Sequence, residues 1–319
     1  MESSKRVSSM ENKSSGNTTR AGSSSNHHSK PKSPLTNLSV EEVIALLKDD
    51  FTRPNALLLL RKMKANNPNL GPMVWNSNGT VFILLKEITQ IYYCLSSGLT
   101  EKMASQVCNV LSILQCVASH PQTRKEFIKA NLAEYLYPLI ATTQKEKPYE
   151  YLRVASLGVV GSLLKEDDAE AIDYLLQGDI VSKCLVCLEM DNLIIKTVAA
   201  FILERLLTIG EEGLEHCCSS AEILISLTRT LAQKIDELDR EPCQRFLKHI
   251  IYCYIKLAEN PRACDILEWY LPGKLTDVTF LQNDPTLITS VQALVHKVST
   301  GHRTKKIQPT GHPALTLRK

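Results

Sequence analysis

Cysteine and histidine are the residues in this chain best suited to chemistry. Cys184-Leu-Val-Cys187 has the spacing of half a zinc site. A tetrahedral site needs a second ligand pair, and this pair sits within IVSKCLVCLEM, an apolar stretch with helical spacing, so both read as buried structural thiols. His216, Cys217 and Cys218 are consecutive and so point in different directions on a helix. Cys108 and Cys116 are two helical turns apart and read as core. His120 precedes Pro121 and reads as the boundary residue of a helix start. His249, in QRFLKHIIYCY, fits either a groove contact or a packed helix position. The phosphate-binding, dinucleotide, metalloprotease and nucleophile-elbow motifs (GxxxxGK[ST], GxGxxG, HExxH, GxSxG) do not occur. The expectation is therefore no catalytic residue, no metal and no cofactor.

Basic residues carry the next possible chemistry. Arg153, Lys196, Arg205, Arg245, Lys248 and Arg262 fall in or just after long apolar segments. On a helix lining a groove, such residues meet a nucleic-acid phosphate or a partner carboxylate; they equally serve solubility on any solvent-facing surface. Aromatic residues make up 6% of the chain, too few for a base-stacking platform.

The elements that must position these residues are helices. SQVCNVLSILQCVASH, YLRVASLGVVGSLLK, IIKTVAAFILERLLTIG and CQRFLKHIIYCYIKLAE carry apolar residues at spacings of three and four. No segment alternates cleanly enough for a strand. SVEE at 39–42 is a capping box, and Pro54, Pro121 and Pro261 suit first helical turns.

A repeat joins these helices. A long apolar helix, a polar break and a short helix recur, with breaks at Pro68, Pro121, Asp168, near Glu212 and at Pro261. The last four breaks stand 47, about 44 and about 49 residues apart, periods that match armadillo or HEAT units, and Pro68 lies 53 residues before Pro121. The sequence therefore predicts an all-α armadillo-repeat domain over residues 37–300, a right-handed superhelix whose long helices line a concave groove. One such unit cannot bury its apolar face alone, and neighbours must stack.

Charge divides the chain the same way. Residues 1–36, rich in Ser, Asn, Thr, Lys and Arg, carry +4, and residues 285–319 carry +6, leaving about −7 between them. Residues 1–36 and 301–319 read as disordered basic tails with too little apolar surface to offset chain entropy. An acidic body weakens any expectation of bulk nucleic-acid binding. No apolar run suits a membrane span or a secretory leader, so an intracellular protein with reduced thiols is expected.

LQCVASHPQTR (114–124), PYEYLRVASLGVVGSLLK (148–165), KTVAAFIL (196–203), REPCQRFLKH (240–249) and LAENPRACDIL (257–267) together resemble the Rcd/Caf-type "required for cell differentiation" subunit of the CCR-NOT deadenylase complex, over roughly residues 38–282. The resemblance implies a non-catalytic armadillo body present in cytoplasm and nucleus. It implies docking on the large Not scaffold subunit and recruitment of mRNA repressors through short linear motifs, promoting deadenylation, decay and translational repression. It also implies single-stranded nucleic acid as a groove ligand, for which the placement of Arg153, Lys196, Arg245, Lys248 and Arg262 on or after the long helices offers the basic contacts. A repressor peptide is expected along Tyr151, Val154, Gly158, Ile194 and Thr197, where Ala155, Gly158 and Ser162 form a small-residue stripe on the same helical face as Tyr151. Gly161, further round the helix, is expected to pack against a neighbour.

This chain departs from the resemblance at two surfaces. After Trp75 the family has His-Ser-Phe-Gly-Thr, a homodimer contact. Here Asn76-Ser-Asn78-Gly-Thr80 is followed by Phe82, so the usual homodimer is expected to be weakened. A Tyr-x-Arg pair linked to partner contacts is replaced by Ala221 and Ile223.

Overall fold

The computed structural model describes residues 38–239, 242–277, 279–281 and 284–305, with side chains as far as Thr300. Among these residues every regular element is helical. The chain opens with α1 (Val40–Ala45) and α2 (Arg53–Met63). Ser39 and Glu42 form the expected capping box, each side chain bonding the other residue's backbone N–H.

Three-helix units follow. The first is α3 (Leu70–Asn76), α4 (Thr80–Thr89) and α5 (Glu101–Ser119). The second is α6 (Pro121–Lys129), α7 (Tyr137–Ile140) and α8 (Lys147–Leu163). The third is α9 (Ala169–Gln177), α10 (Ile180–Leu188) and α11 (Leu193–Thr208). The fourth is α12 (Glu212–Ser219), α13 (Ala221–Asp236) and α14 (Gln244–Leu257). The last has α15 (Pro261–Tyr270), a 3₁₀ turn at Gly273–Thr276 and α16 (Pro285–Lys305). The breaks at Pro121, Asp168, Glu212 and Pro261 each open the first helix of a unit, with Asp168 as the N-cap of α9.

Local chemistry explains why each unit repeats the same path. Thr100, His120, Asp168, Asn192, Ser220 and Asn260 each accept a backbone N–H at a helix start, satisfying donors the helix itself cannot. Asn131 and Asp179 take up left-handed backbone, φ 52° and 54°, at the same point in successive units. These residue types tolerate that region better than most.

The long helices α5, α8, α11 and α14 pack side by side in order, with α2 against α5 and α16 against α14. In α8, Leu152, Leu157, Val159, Val160 and Leu163 are buried. One correction concerns the end of the domain. α16 continues to Lys305, beyond the boundary at residue 300. Gly301 weakens a helix by roughly 1 kcal/mol but does not terminate it, and the next proline is Pro309. The first expected tail, and the second beyond Lys305, lie outside the described residues.

The thiols are mostly internal. Cys94, Cys116, Cys184, Cys187, Cys217, Cys218 and Cys253 are buried; Cys108, Cys243 and Cys264 are partly exposed. Burial pushes the Cys187 and Cys217 thiols up to about 12. With the thiolate as the reactive form, native protein near neutral pH should show at most Cys108, Cys243 and Cys264 reacting quickly with a chromogenic disulfide, and all ten after denaturation. Fast reaction of Cys184 or Cys187 in native protein would contradict this packing.

Gly161 settles a second point. A Cβ there would stand 3.4 Å from Phe201 Cε1 of α11, an ordinary contact that confirms helix-to-helix packing. Gly161→Ala should leave stability unchanged or raise it by up to about 1 kcal/mol through helix propensity. Gly161→Leu should destabilise by roughly 1–3 kcal/mol through overpacking. Denaturant unfolding of both variants measures the difference.

Candidate peptide-binding groove

A continuous stripe on α5 begins the groove. Glu101, Ser105, Cys108, Ser112 and Gln115 recur at spacings of four and three and lie on one helical face. They line an open cleft of roughly 640 Å³ with Arg61 of α2, Glu150, Tyr151, Val154 and Ala155 of α8, and Asn192 and Ile194 of the α11 start. A second hollow of roughly 250 Å³ continues it, lined by Leu193, Ile194, Thr197, Val198 and Phe201 of α11, with Cys243 and Arg245 at the α14 start. Ile194 belongs to both. Tyr151 is 50% and Ile194 61% exposed, so two large apolar side chains face solvent between helices whose other faces are core.

Four of the five expected peptide-groove residues, Tyr151, Val154, Ile194 and Thr197, line these hollows. Gly158 does not. Its open side is covered by the Gln115 side chain, whose Nε2 lies 2.5 Å from where a Cβ would sit. Gln115 Nε2 donates to the Ala155 carbonyl at 3.4 Å, and Gln115 Oε1 accepts from Lys64 Nζ at 2.8 Å. Gly158 therefore makes room for a polar bridge between α5 and α8 rather than for an open groove floor. Ser162 is buried and donates to the Gly158 carbonyl at 2.8 Å, so the small-residue stripe leaves the groove after Ala155. Cys108 also differs from its expected core position. It is half-buried and lines the cleft, with burial pushing its thiol up to about 11 and nearby Arg61 opposing that. The polar stripe on α5 was the available signal for this wall of the groove.

The expected basic set separates. Arg153 is fully buried. Its Nη2 donates to the Thr142 and Gln144 carbonyls at 2.6 and 2.9 Å and to Thr142 Oγ1 at 3.0 Å. It holds the α7–α8 loop and meets no groove ligand. Arg262 lies on α15, where Nη1 donates to the Cys218 and Ser219 carbonyls at 2.9 Å each, closing the end of α12. Arg205 bonds the Leu164 carbonyl and Asp167, at 3.1 and 2.5 Å. Lys248 pairs with Asp284 at 2.8 Å. That hydrogen bond raises the ammonium's pKa and lowers the carboxyl's. Only Arg245 lines the groove, with the partly exposed Lys196 on the same inner helix as Ile194. His249 resolves as a packing contact. Nδ1 meets Glu204 Oε2, and the ring stands edge-on to Phe201, centroids 5.6 Å apart.

Among the described residues, no group of three or more His, Cys, Asp or Glu could hold a metal ion, and no helix is long and apolar enough to cross a membrane. At the altered surfaces, Asn76, Asn78 and Ala221 are exposed and Ile223 is half-buried. Phe82 is 71% exposed on α4.

The family model for "Cell differentiation family, Rcd1-like" matches residues 43–298. The chain belongs to this family. It is 39% identical over 244 residues to "Cell differentiation protein rcd1" of Schizosaccharomyces pombe, covering 76% of this chain and 86% of that protein. It is 38% identical over 232 residues to "Protein CAF40" of Saccharomyces cerevisiae, covering 72% of this chain and 62% of that protein. Among solved structures, the designed armadillo repeat protein YIII(Dq)4CqI superposes with TM-score 0.60 at 15% identity, over 82% of this chain and all of that one. An engineered protein superposes with TM-score 0.61 at 16% identity, over 83% and 100%. The fold is an all-α armadillo superhelix, as expected. Proteins of this family are not enzymes.

Arg153→Ala tests the separation of the basic set. Loss of charge-assisted bonds to buried carbonyls, plus a cavity, should destabilise the protein by roughly 2–5 kcal/mol. Arg245→Ala should stay within about 0.5 kcal/mol. A normal unfolding midpoint for Arg153→Ala would return that residue to the groove.

Proposed function

We propose that this Rcd1-like protein is a non-catalytic adaptor subunit of the CCR-NOT mRNA deadenylase complex, in cytoplasm and nucleus. It binds the large Not scaffold subunit and short linear motifs of mRNA repressors, promoting deadenylation, decay and translational repression. The observation that carries the reading is the groove itself: two adjoining hollows joined at Ile194, with Tyr151 and Ile194 exposed between buried helix faces. An open apolar strip with a polar rim is the form of a site for a short peptide that folds or extends on binding. Family membership supports the choice of complex.

The nucleic-acid reading retains Lys196 and Arg245. Phosphate contacts weaken steeply with salt, whereas an apolar strip does not, so a salt titration of whatever the groove binds separates the two. The usual homodimer is disfavoured in this proposal, because Asn76 and Asn78 place polar side chains where an apolar contact is expected.

Ile194→Asp tests the groove. A charge on an exposed position should leave unfolding within about 0.5 kcal/mol of the parent. It should abolish capture of repressor peptides while leaving the scaffold bound, if the scaffold uses another face. Affinity capture with mass spectrometry that recovers no Not scaffold with the parent protein would overturn the assignment to the complex.

A further inference from the structure

Three cations crowd together beside the larger hollow, away from its acids. Arg61 in the last turn of α2 and Lys64 as its C-cap lie on one face of the helix, and Arg61 lines the hollow. Lys64 Nζ donates to Gln115 Oε1 of α5 at 2.8 Å. Lys165, exposed just past the end of α8, is close enough to act on both Lys64 and Cys116. Burial lowers the pKa of Lys64 most; the Cys116 thiol opposes this, and Lys165 and Arg61 lower it further. No carboxylate is among these influences. The acids next to Lys165 in the chain are engaged elsewhere, Glu166 and Asp168 by Arg124 and Asp167 by Arg205. Among the described residues no ion pair engages Arg61, Lys64 or Lys165. A helix C-terminus favours a cation beside it. It does not account for three held together against their mutual repulsion.

We propose that Arg61, Lys64 and Lys165 receive the phosphate of a phosphorylated serine or threonine on the peptide that occupies the groove, an inference that rests on the reading of the groove as a peptide site. A phosphomonoester near neutral pH carries close to two negative charges and three acceptor oxygens, which suits two ammonium groups and a guanidinium. The donors are free to serve it. Lys64 spends one N–H on Gln115, and Arg61 bonds Asn109 through Nη1 alone. A single carboxylate would neutralise one cation and leave the others repelling. A nucleic-acid strand brings its charge as a row of phosphates, and a strand continuing along the hollow reaches Glu101 and Glu150. One isolated phosphate does not. Glu101 opens α5, and Gln115 is fourteen residues on, about 21 Å along the helix and more than twice the screening length at physiological salt. Tyr151 precedes Lys165 by the same fourteen residues, a span that about six or seven extended residues cover. One peptide therefore reaches both the apolar anchor and the cluster.

Amide NMR on the full chain tests this with a capped pentapeptide, a phosphoserine flanked by two alanines on each side, against the same peptide with serine or glutamate at the centre. At constant ionic strength the phosphopeptide should shift the backbone signals of residues 61–65 and 165 and bind roughly tenfold more tightly than the glutamate peptide. Lys64→Ala and Lys165→Glu should each weaken it roughly fivefold or more, with an unchanged unfolding midpoint. Lys165 is exposed, so its variant decides even if Lys64→Ala disturbs the Gln115 bridge. Ile194→Asp should bind this peptide as the parent does, because alanines reach no apolar anchor. A failed cluster and a failed groove reading therefore give different results. Equal affinity for the glutamate peptide would overturn the proposal, as would a Lys165→Glu variant that binds like the parent. Tighter binding of hexathymidylate at the same signals would overturn it too, by assigning the cluster to nucleic acid.

Discussion

Every inner helix of this fold has to bury two flanks and leave a third face open. α8 shows the constraint most fully. It packs on α5 along one side and α11 along the other, with Gly161 against Phe201 on one flank and Gln115 crossing Gly158 on the other. Burying both flanks is what allows the remaining strip, Tyr151, Val154 and Ala155, to be apolar and accessible without costing the fold. Buried leucines and valines offset the loss of chain entropy, and the groove residues are left free of that duty. The groove is therefore a by-product of stacking. Its length grows with the number of units, and its chemistry is set only where the strip emerges.

Much of the scaffold was legible because it is written in local chemistry. Pro54, Pro121, Pro261, the break at Asp168 and the capping box at Ser39 mark helix starts in any tertiary setting. Periodic apolar residues then fix which faces turn inward. The same logic made Cys184 and Cys187 readable as core. Tyr151, Val154, Ile194 and Thr197 were readable as groove because the resemblance supplied the surface and the helix period supplied the face.

What was not legible depended on partners distant in sequence. Arg153 sits in α8 among residues that could equally face water. It is internal because the Thr142 and Gln144 carbonyls, in a loop without regular backbone pairing, need a donor. Arg205 and Arg262 serve carbonyls at 164 and at 218–219 in the same way. In a solenoid of short helices, many C-terminal carbonyls end near the next unit, and arginine's several donors suit them. A basic residue in such a repeat is thus often a helix-end brace, and placement on an inner helix does not reveal it. Gly158 failed for a related reason: the side chain that fills its space belongs to Gln115, forty-three positions earlier.

This redistribution of cations decides what the groove can prefer. The larger hollow holds one guanidinium, Arg61, whose Nη1 is engaged by Asn109 Oδ1 at 3.0 Å. It holds two carboxylates, Glu101 and Glu150, the latter accepting from Asn192 at 3.1 Å. A phosphate backbone following the groove would pass these acids while gaining only Arg245 and Lys196 further along. Each unneutralised carboxylate near a phosphate opposes binding, and the affinity of nucleic acid for protein scales with the phosphates neutralised. A peptide does not meet that obstacle. Its backbone N–H groups and any lysine or arginine it carries are matched by Glu101 and Glu150, and its apolar side chains by Tyr151 and Ile194. On the proposed function, these charges would suit an apolar segment with basic residues at one end, set over Glu101 and Glu150, and apolar anchors beside Tyr151 and Ile194.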